Sequence, residues 1–222
     1  MESWSEDSFC NTLYGEIQNE GSCGWYVRQS HKTLEKGFQL DHPRIAVLEI
    51  GCNLGEHSEY VIHPYDEYVA SDYREIDFKP LNERTRFQVA DAQDLPFDDR
   101  SFQRVIMTCV LHHLLDPEKA AQEMRRVADH KGVISILLPT DPGALYRLGK
   151  HIGPYRSIAR KLPEMDAEYL HYQQHRNHFP ALVSIIRHVF RNDLVRQLNW
   201  PLPWSLWNLN MYRVFQITID KD

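Results

Sequence analysis

Cysteine is scarce in this chain. There are four in 222 residues, Cys10, Cys23, Cys52 and Cys109, with no C-x-x-C pair among them. That spacing excludes a disulfide framework or a cysteine-based zinc site, and a reducing, cytoplasmic compartment is expected. Positive charge is also lacking: 25 Lys and Arg stand against 31 Asp and Glu, a net charge of −6. A dedicated nucleic-acid surface would be strongly basic, so no nucleic-acid partner is expected. No stretch reaches the roughly 18 apolar residues that span a bilayer, so no stable membrane insertion is expected. The first residues, Met-Glu-Ser-Trp-Ser-Glu-Asp, are acidic and polar, unlike a secretory signal. Internal repeats and low-complexity tracts are absent.

What remains is the composition of a single globular domain, with 42% hydrophobic and 25% charged residues, enough apolar material for one core. Residues 1–44 read as a helical N-terminal cap, with 1–20 loosely ordered and Gly21–Phe38 helical. Residues 45–138 alternate strand and helix without hairpin signals, the rhythm of a doubly wound, mostly parallel sheet. Strands are expected at Ile45–Ile50, Glu67–Ser71, Arg86–Ala90, Arg104–Thr108 and Gly132–Leu138, with helices at Gly55–Ile62 and Pro117–Ala128. Residues 140–180 break the rhythm and read as a lid over a substrate. Residues 181–222 read as a final helix followed by two antiparallel strands, Leu194–Asn199 and Asn208–Ile219, joined by the short Trp200–Trp204 loop.

The segment Ile45-Ala-Val-Leu-Glu49-Ile-Gly51-Cys52-Asn53-Leu54-Gly55 carries the most information. An apolar strand buried on both faces runs into two glycines, where backbone can approach a nucleotide-type ligand. A dinucleotide site wants G-x-G-x-x-G, and the tight glycine pair is missing here. The order E-x-G-x-x-x-G instead resembles motif I of the class I S-adenosylmethionine-dependent methyltransferases, with Asn53 in place of the middle glycine. Asn tolerates a positive φ better than most residues.

Three further stretches extend the resemblance. Asp72 ends the second strand, about 20 residues after the glycine turn. Residues 89–105, with Asp91-Ala92, Leu95-Pro96-Phe97 and Ser101-Phe102, are similar to the family's D-A-x-x-L-P-F-x-D-x-S-F-D-x-V. Val110-Leu111-His112-His113-Leu114 is similar to the x-L-H-H-L of its ubiquinone-biosynthesis-like small-molecule subgroup. The resemblance implies a seven-stranded Rossmann-like sheet with an antiparallel last strand and helices on both faces. It implies S-adenosyl-L-methionine as cofactor, held by Glu49, Gly51, Cys52, Asn53, Gly55, Asp72, Asp91, Ala92, Cys109 and Val110. It also implies methyl transfer to a small-molecule acceptor such as a saccharide, a secondary metabolite or a lipid-linked compound. Two alternatives stay open: a non-catalytic binder of the same cofactor, and a nicotinamide-dependent oxidoreductase.

Such a transfer needs alignment and, for a hydroxyl acceptor, a base. Candidate bases are His113, His175 and His178. On one continuous helix His171, His175 and His178 would share a face at i, i+4, i+7. Candidate acceptor contacts are Tyr26, Arg147 and Arg176. No metal is expected: there is no H-E-x-x-H or matching cysteine pair, and carboxylate ligands would have to come from distant residues. Room is left for a homodimer.

Overall fold

The computed structural model describes residues 21–40, 42–161, 163 and 166–220; the loosely ordered segment expected over 1–20 lies outside them. Helix α1 (Gly21–Glu35) leads into β1 (Ala46–Ile50), a 3-10 turn (Glu56–Tyr60), β2 (Glu67–Asp72), β3 (Thr85–Val89), β4 (Phe102–Thr108), α2 (Pro117–Val127) and β5 (Ala128–Pro139). Three short helices then fill the expected lid: α3 (Ala144–Ile152), α4 (Pro154–Lys161) and α5 (Ala167–Gln174). Helix α6 (Phe179–Val189), β6 (Leu194–Trp200), a 3-10 turn (Trp207–Leu209) and β7 (Tyr212–Thr218) complete the chain.

The strands form one seven-stranded sheet in the order β3-β2-β1-β4-β5-β7-β6. Strands β1 to β5 pair in parallel, and β7 runs antiparallel to both β5 and β6. Chain order reverses between β1 and β4, so the crevice beyond their carboxyl ends is where an open α/β sheet binds ligands. No helix among the described residues is long and apolar enough to cross a membrane.

Alternation along the central strands divides the core. Ala46, Leu48 and Ile50 of β1 and Val105 and Met107 of β4 face α2 and α6. Val47 of β1 and Ile106 of β4 face α1, where they pack with Leu34. Helix α2 forms where Asp116 caps the first turn, accepting from the Lys119 amide at 2.9 Å, with Pro117 placed where its missing N–H costs nothing. Its Ala120, Ala121, Met124 and Val127 line one buried stripe.

Two expected elements differ. The connection between β6 and β7 is longer than the Trp200–Trp204 loop, and β7 begins at Tyr212 rather than Asn208. Asn210 is the reason: its side chain accepts from the Leu202 amide at 2.8 Å and donates to the carbonyls of Trp204 and Leu206. That residue organises the loop and cannot start a strand. The helix expected over Gly55–Ile62 is a single 3-10 turn, in which both the amide and the hydroxyl of Ser58 bond to the Gly55 carbonyl.

A buried polar cluster locks α1 to the sheet. Arg104, fully buried on β4, pairs with Glu35 at the end of α1 through both guanidinium nitrogens and lies 3.7 Å over the Phe38 ring. His57 of the 3-10 turn donates from Nε2 to Glu35 at 3.0 Å, which leaves its Nδ1 to accept from His31 at 2.8 Å. Burial raises the Glu35 carboxyl, but bonds from His57 and Arg104 outweigh it and hold the group at about 2. Removing one partner of such a pair strands the other charge. Arg104→Met is expected to cost about 3–5 kcal/mol in chemical denaturation. A loss under about 1 kcal/mol would mean that the pair does not anchor α1.

Candidate cofactor and acceptor site

The site begins where β1 stops. Gly51 sits at φ +70 and Gly55 at φ +86, both in the left-handed region. A Cβ at Gly51 would lie 2.2 Å from Cγ2 of Val110, and one at Gly55 would lie 2.6 Å from the Phe78 ring. Asn53 takes the position of the missing middle glycine at φ 50, as an Asn can. Its amide donates to Asp72 at 3.2 Å and its side-chain amide to Glu56 at 3.0 Å. The amides of Gly51 and Cys52 both donate to the Ser71 carbonyl, at 2.7 and 2.9 Å.

These bonds decide against an anion. The amides of Gly51, Cys52, Asn53 and Gly55 are engaged internally, and a 3-10 turn with Glu56 and Glu59 at its start follows in place of an α-helix. No free helix end is offered to a pyrophosphate. Carboxylates converge there instead. Glu49 lies buried on β1, accepting from the Tyr68 hydroxyl at 2.7 Å. Burial, reinforced by the neighbouring Glu56 and Asp72, pushes its carboxyl up to about 8. The same three acids, added to burial, push the Cys52 thiol up. A site with this many carboxyl groups, two of them beside a protonated Glu49 that a cation would help to ionise, favours a cation, and a sulfonium amino acid is one. Asp72 is buried and also bonds the amide and guanidinium of Arg74, at 3.1 and 3.3 Å. Asp91 is exposed and accepts from the Gln93 amide at 2.8 Å, with Ala92 buried beside it. Cys109, at φ 57, and Val110 follow β4 and close the crevice from the other side. The residues present fit the expected cofactor.

Beyond Val110 the chain enters a histidine cluster. His113 donates from Nδ1 to the Gln174 carbonyl at 2.9 Å, so its Nε2 carries the lone pair. His175 bonds through Nδ1 to Asp141 at 3.0 Å, and His171 through Nε2 to the same carboxylate oxygen at 3.0 Å. The rings of His112 and His175 lie 4.2 Å apart, and that of His113 meets His175 edge-on at 5.1 Å. Burial holds His113 at about 4 and His175 at about 3, and lowers His112 and His171. All four rings are neutral near pH 7.

Residues 48–136 match the family model described as a methyltransferase domain. Over that stretch the chain is similar to a class I S-adenosylmethionine-dependent methyltransferase domain. It is 32% identical over 101 residues to the ajmaline N-methyltransferase of Rauvolfia serpentina and 33% over 110 residues to the demethylmenaquinone methyltransferase of Clavibacter sepedonicus. These matches cover 41% and 46% of this chain, but only 35% and 45% of the relatives, so the chain spans less than half the length of either. Among solved structures, the cyclase SpnF aligns over 96% of this chain and 93% of its own, at 12% identity and a TM-score of 0.67, a likeness of fold.

The remaining candidates scatter. His178 does not join the other histidines. Helix α5 ends at Gln174, and Asn177 then bonds the carbonyls of His112 and Leu114. That break turns His178 out as the exposed first residue before α6. Arg176 is exposed as well, and Arg147 is exposed 4.0 Å from Glu168. Tyr26 packs edge-on against Tyr212 and Trp200, in the aromatic layer under α1. Asp141 went unrecognised in the sequence. Its position at the end of β5, where Asp72 stands at the end of β2, is the signal that could have found it.

The buried imidazoles make the domain sensitive to acid. Each is neutral when folded and takes up a proton near 6.5 when unfolded, so its contribution is complete above about 6.5 and is lost as pH falls toward 4. Denaturation midpoints followed downward from neutral pH should drop across that window, and less steeply in His113→Asn. A midpoint unchanged down to about pH 5 would contradict the neutral, buried assignment.

Proposed function

We propose that this protein transfers a methyl group from S-adenosyl-L-methionine to a small-molecule acceptor, with His113 as the base facing that acceptor. The observation that carries the reading is the junction at Val110. One side of this residue touches the acidic glycine turn, and the chain beyond it presents a half-buried, neutral imidazole. When bound, the cofactor supplies an electrophilic methyl on sulfur.

The chain's own residues do the rest. Glu49, Glu56 and Asp72 compensate positive charge and hold ribose hydroxyls, while Gly51 and Gly55 leave room for close backbone approach. Asp91 and the Ala92 amide address the adenine. Positioning of this kind contributes roughly 7–11 kcal/mol to a bimolecular displacement. His113, its Nδ1–H tied to the Gln174 carbonyl, directs the Nε2 lone pair at the proton of an acceptor hydroxyl or amine. The edge-on ring of His175 limits how His113 can turn. A small organic acceptor is supported by the names of the two curated relatives.

Calorimetry with S-adenosylhomocysteine and with NADH tests the cofactor. The first should bind saturably and raise the melting temperature, and the second should do neither. Asp72→Asn keeps the side chain's shape and should weaken S-adenosylhomocysteine about tenfold or more, the scale of a hydrogen bond to a charged group. Absence of heat from S-adenosylhomocysteine would end the reading. With acceptors screened for turnover, His113→Asn should bind cofactor normally and lose roughly 10²–10⁴-fold in rate. An unchanged rate would remove His113 from the chemistry. Binding without turnover of any acceptor would favour a non-catalytic protein of the same fold.

A further inference from the structure

We infer that Asp141, His171 and His175 form a binding site for one divalent first-row transition-metal ion, with His112 in reach as a further ligand. The sequence argued against a metal because carboxylate ligands would have to come from distant residues. The fold supplies one. Asp141 leaves the end of β5 and places Oδ2 3.0 Å from His171 Nε2 and 3.0 Å from His175 Nδ1, His171 lying in the last turn of α5 and His175 capping it. Two ligands at about 2.1 Å from an ion, at right angles to each other, stand about 3.0 Å apart. The donor atoms of the three residues all lie within 4.8 Å of one another, and those of His112, His113 and His175 do the same. His175 belongs to both sets, which makes this one contiguous site.

Two observations point to a ligand rather than to a closed hydrogen-bond network. Oδ1 of Asp141 and Nδ1 of His112 are buried with no hydrogen-bond partner among the described residues. Both residues are 3% exposed, so water does not offer an easy remedy. Buried polar groups without partners are rare, and a bound ion is one of their ordinary explanations. Four neutral imidazoles around a single carboxylate hold more lone pairs than protons can serve.

The donor set selects the ion. Two histidines and one carboxylate with open positions suit iron, zinc, nickel or cobalt rather than magnesium or calcium, which prefer oxygen. Each ring is neutral, so moving its single proton to the other nitrogen frees the ligating lone pair. With an ion in place His175 is a ligand, and His113, held through Nδ1 by a backbone carbonyl, keeps its Nε2 for the acceptor.

The test uses the full chain, treated with chelator and free of cofactor, so it does not depend on methyl transfer. Titration with Zn2+ should show one saturable site and a raised melting temperature. Co2+ should develop a visible ligand-field spectrum. Asp141→Asn, His171→Gln and His175→Gln should each weaken Zn2+ at least tenfold, while His188→Gln on the exposed face of α6 should not. Circular dichroism identifies any variant that fails to fold. For such a case, the ring-nitrogen resonances of the wild-type histidines read coordination directly and should shift on adding Zn2+. No saturable binding and no cobalt spectrum would overturn the site. So would undiminished binding in folded variants, or histidine resonances that Zn2+ leaves in place.

Discussion

Val110 occupies the space that any side chain at residue 51 would need. Its Cγ2 would stand 2.2 Å from a Cβ there, and the backbone at Gly51 is already left-handed. Two requirements, room and conformation, therefore converge on one glycine. This contact joins the carboxyl ends of β1 and β4 at the point where the strand order reverses. The acidic turn and the histidine loop face each other because the chain leading to His112 and His113 leaves β4 across the glycine.

The two halves of the site are electrostatic opposites. Around Cys52, Glu49, Glu56 and Asp72 crowd together, and one of them, Glu49, gives up its charge near neutral pH. Around Asp141, one carboxylate is held ionised by the rings that bond it, although burial opposes this. The first half suits a positively charged nucleoside. The second is a pocket of lone pairs that can receive a proton or a cation. A dinucleotide, with its pyrophosphate, would meet the wrong charge at the turn.

Much of this could be read from residue order. Buried strands such as Ala46–Ile50 announce themselves as unbroken apolar runs, and Asp72 and Asp91 follow strand ends at regular spacing. What could not be read depended on contacts between distant residues. The helix after Gly55 shrinks to one 3-10 turn because Ser58 folds back on the Gly55 carbonyl and His57 is drawn into the Glu35 pair. The three-histidine face dissolves because Asn177 is captured by the loop after β4, 63 residues away for its bond to Leu114. Asp141 meets His171 and His175 only through the path of α3 to α5, and periodicity carries no information about such a meeting.

The Glu35 carboxylate touches more than Arg104. It also accepts from His57 and, at 3.4 Å, from the Ile62 amide, so it grips both ends of the segment that follows the glycine turn. Helix α1 is therefore a structural wedge beneath the floor of the proposed nucleoside site. Displacing it would release the floor from the sheet and leave an unpaired arginine in its place. Any displacement of α1 consequently reaches the proposed cofactor turn through Glu35, without touching that turn itself.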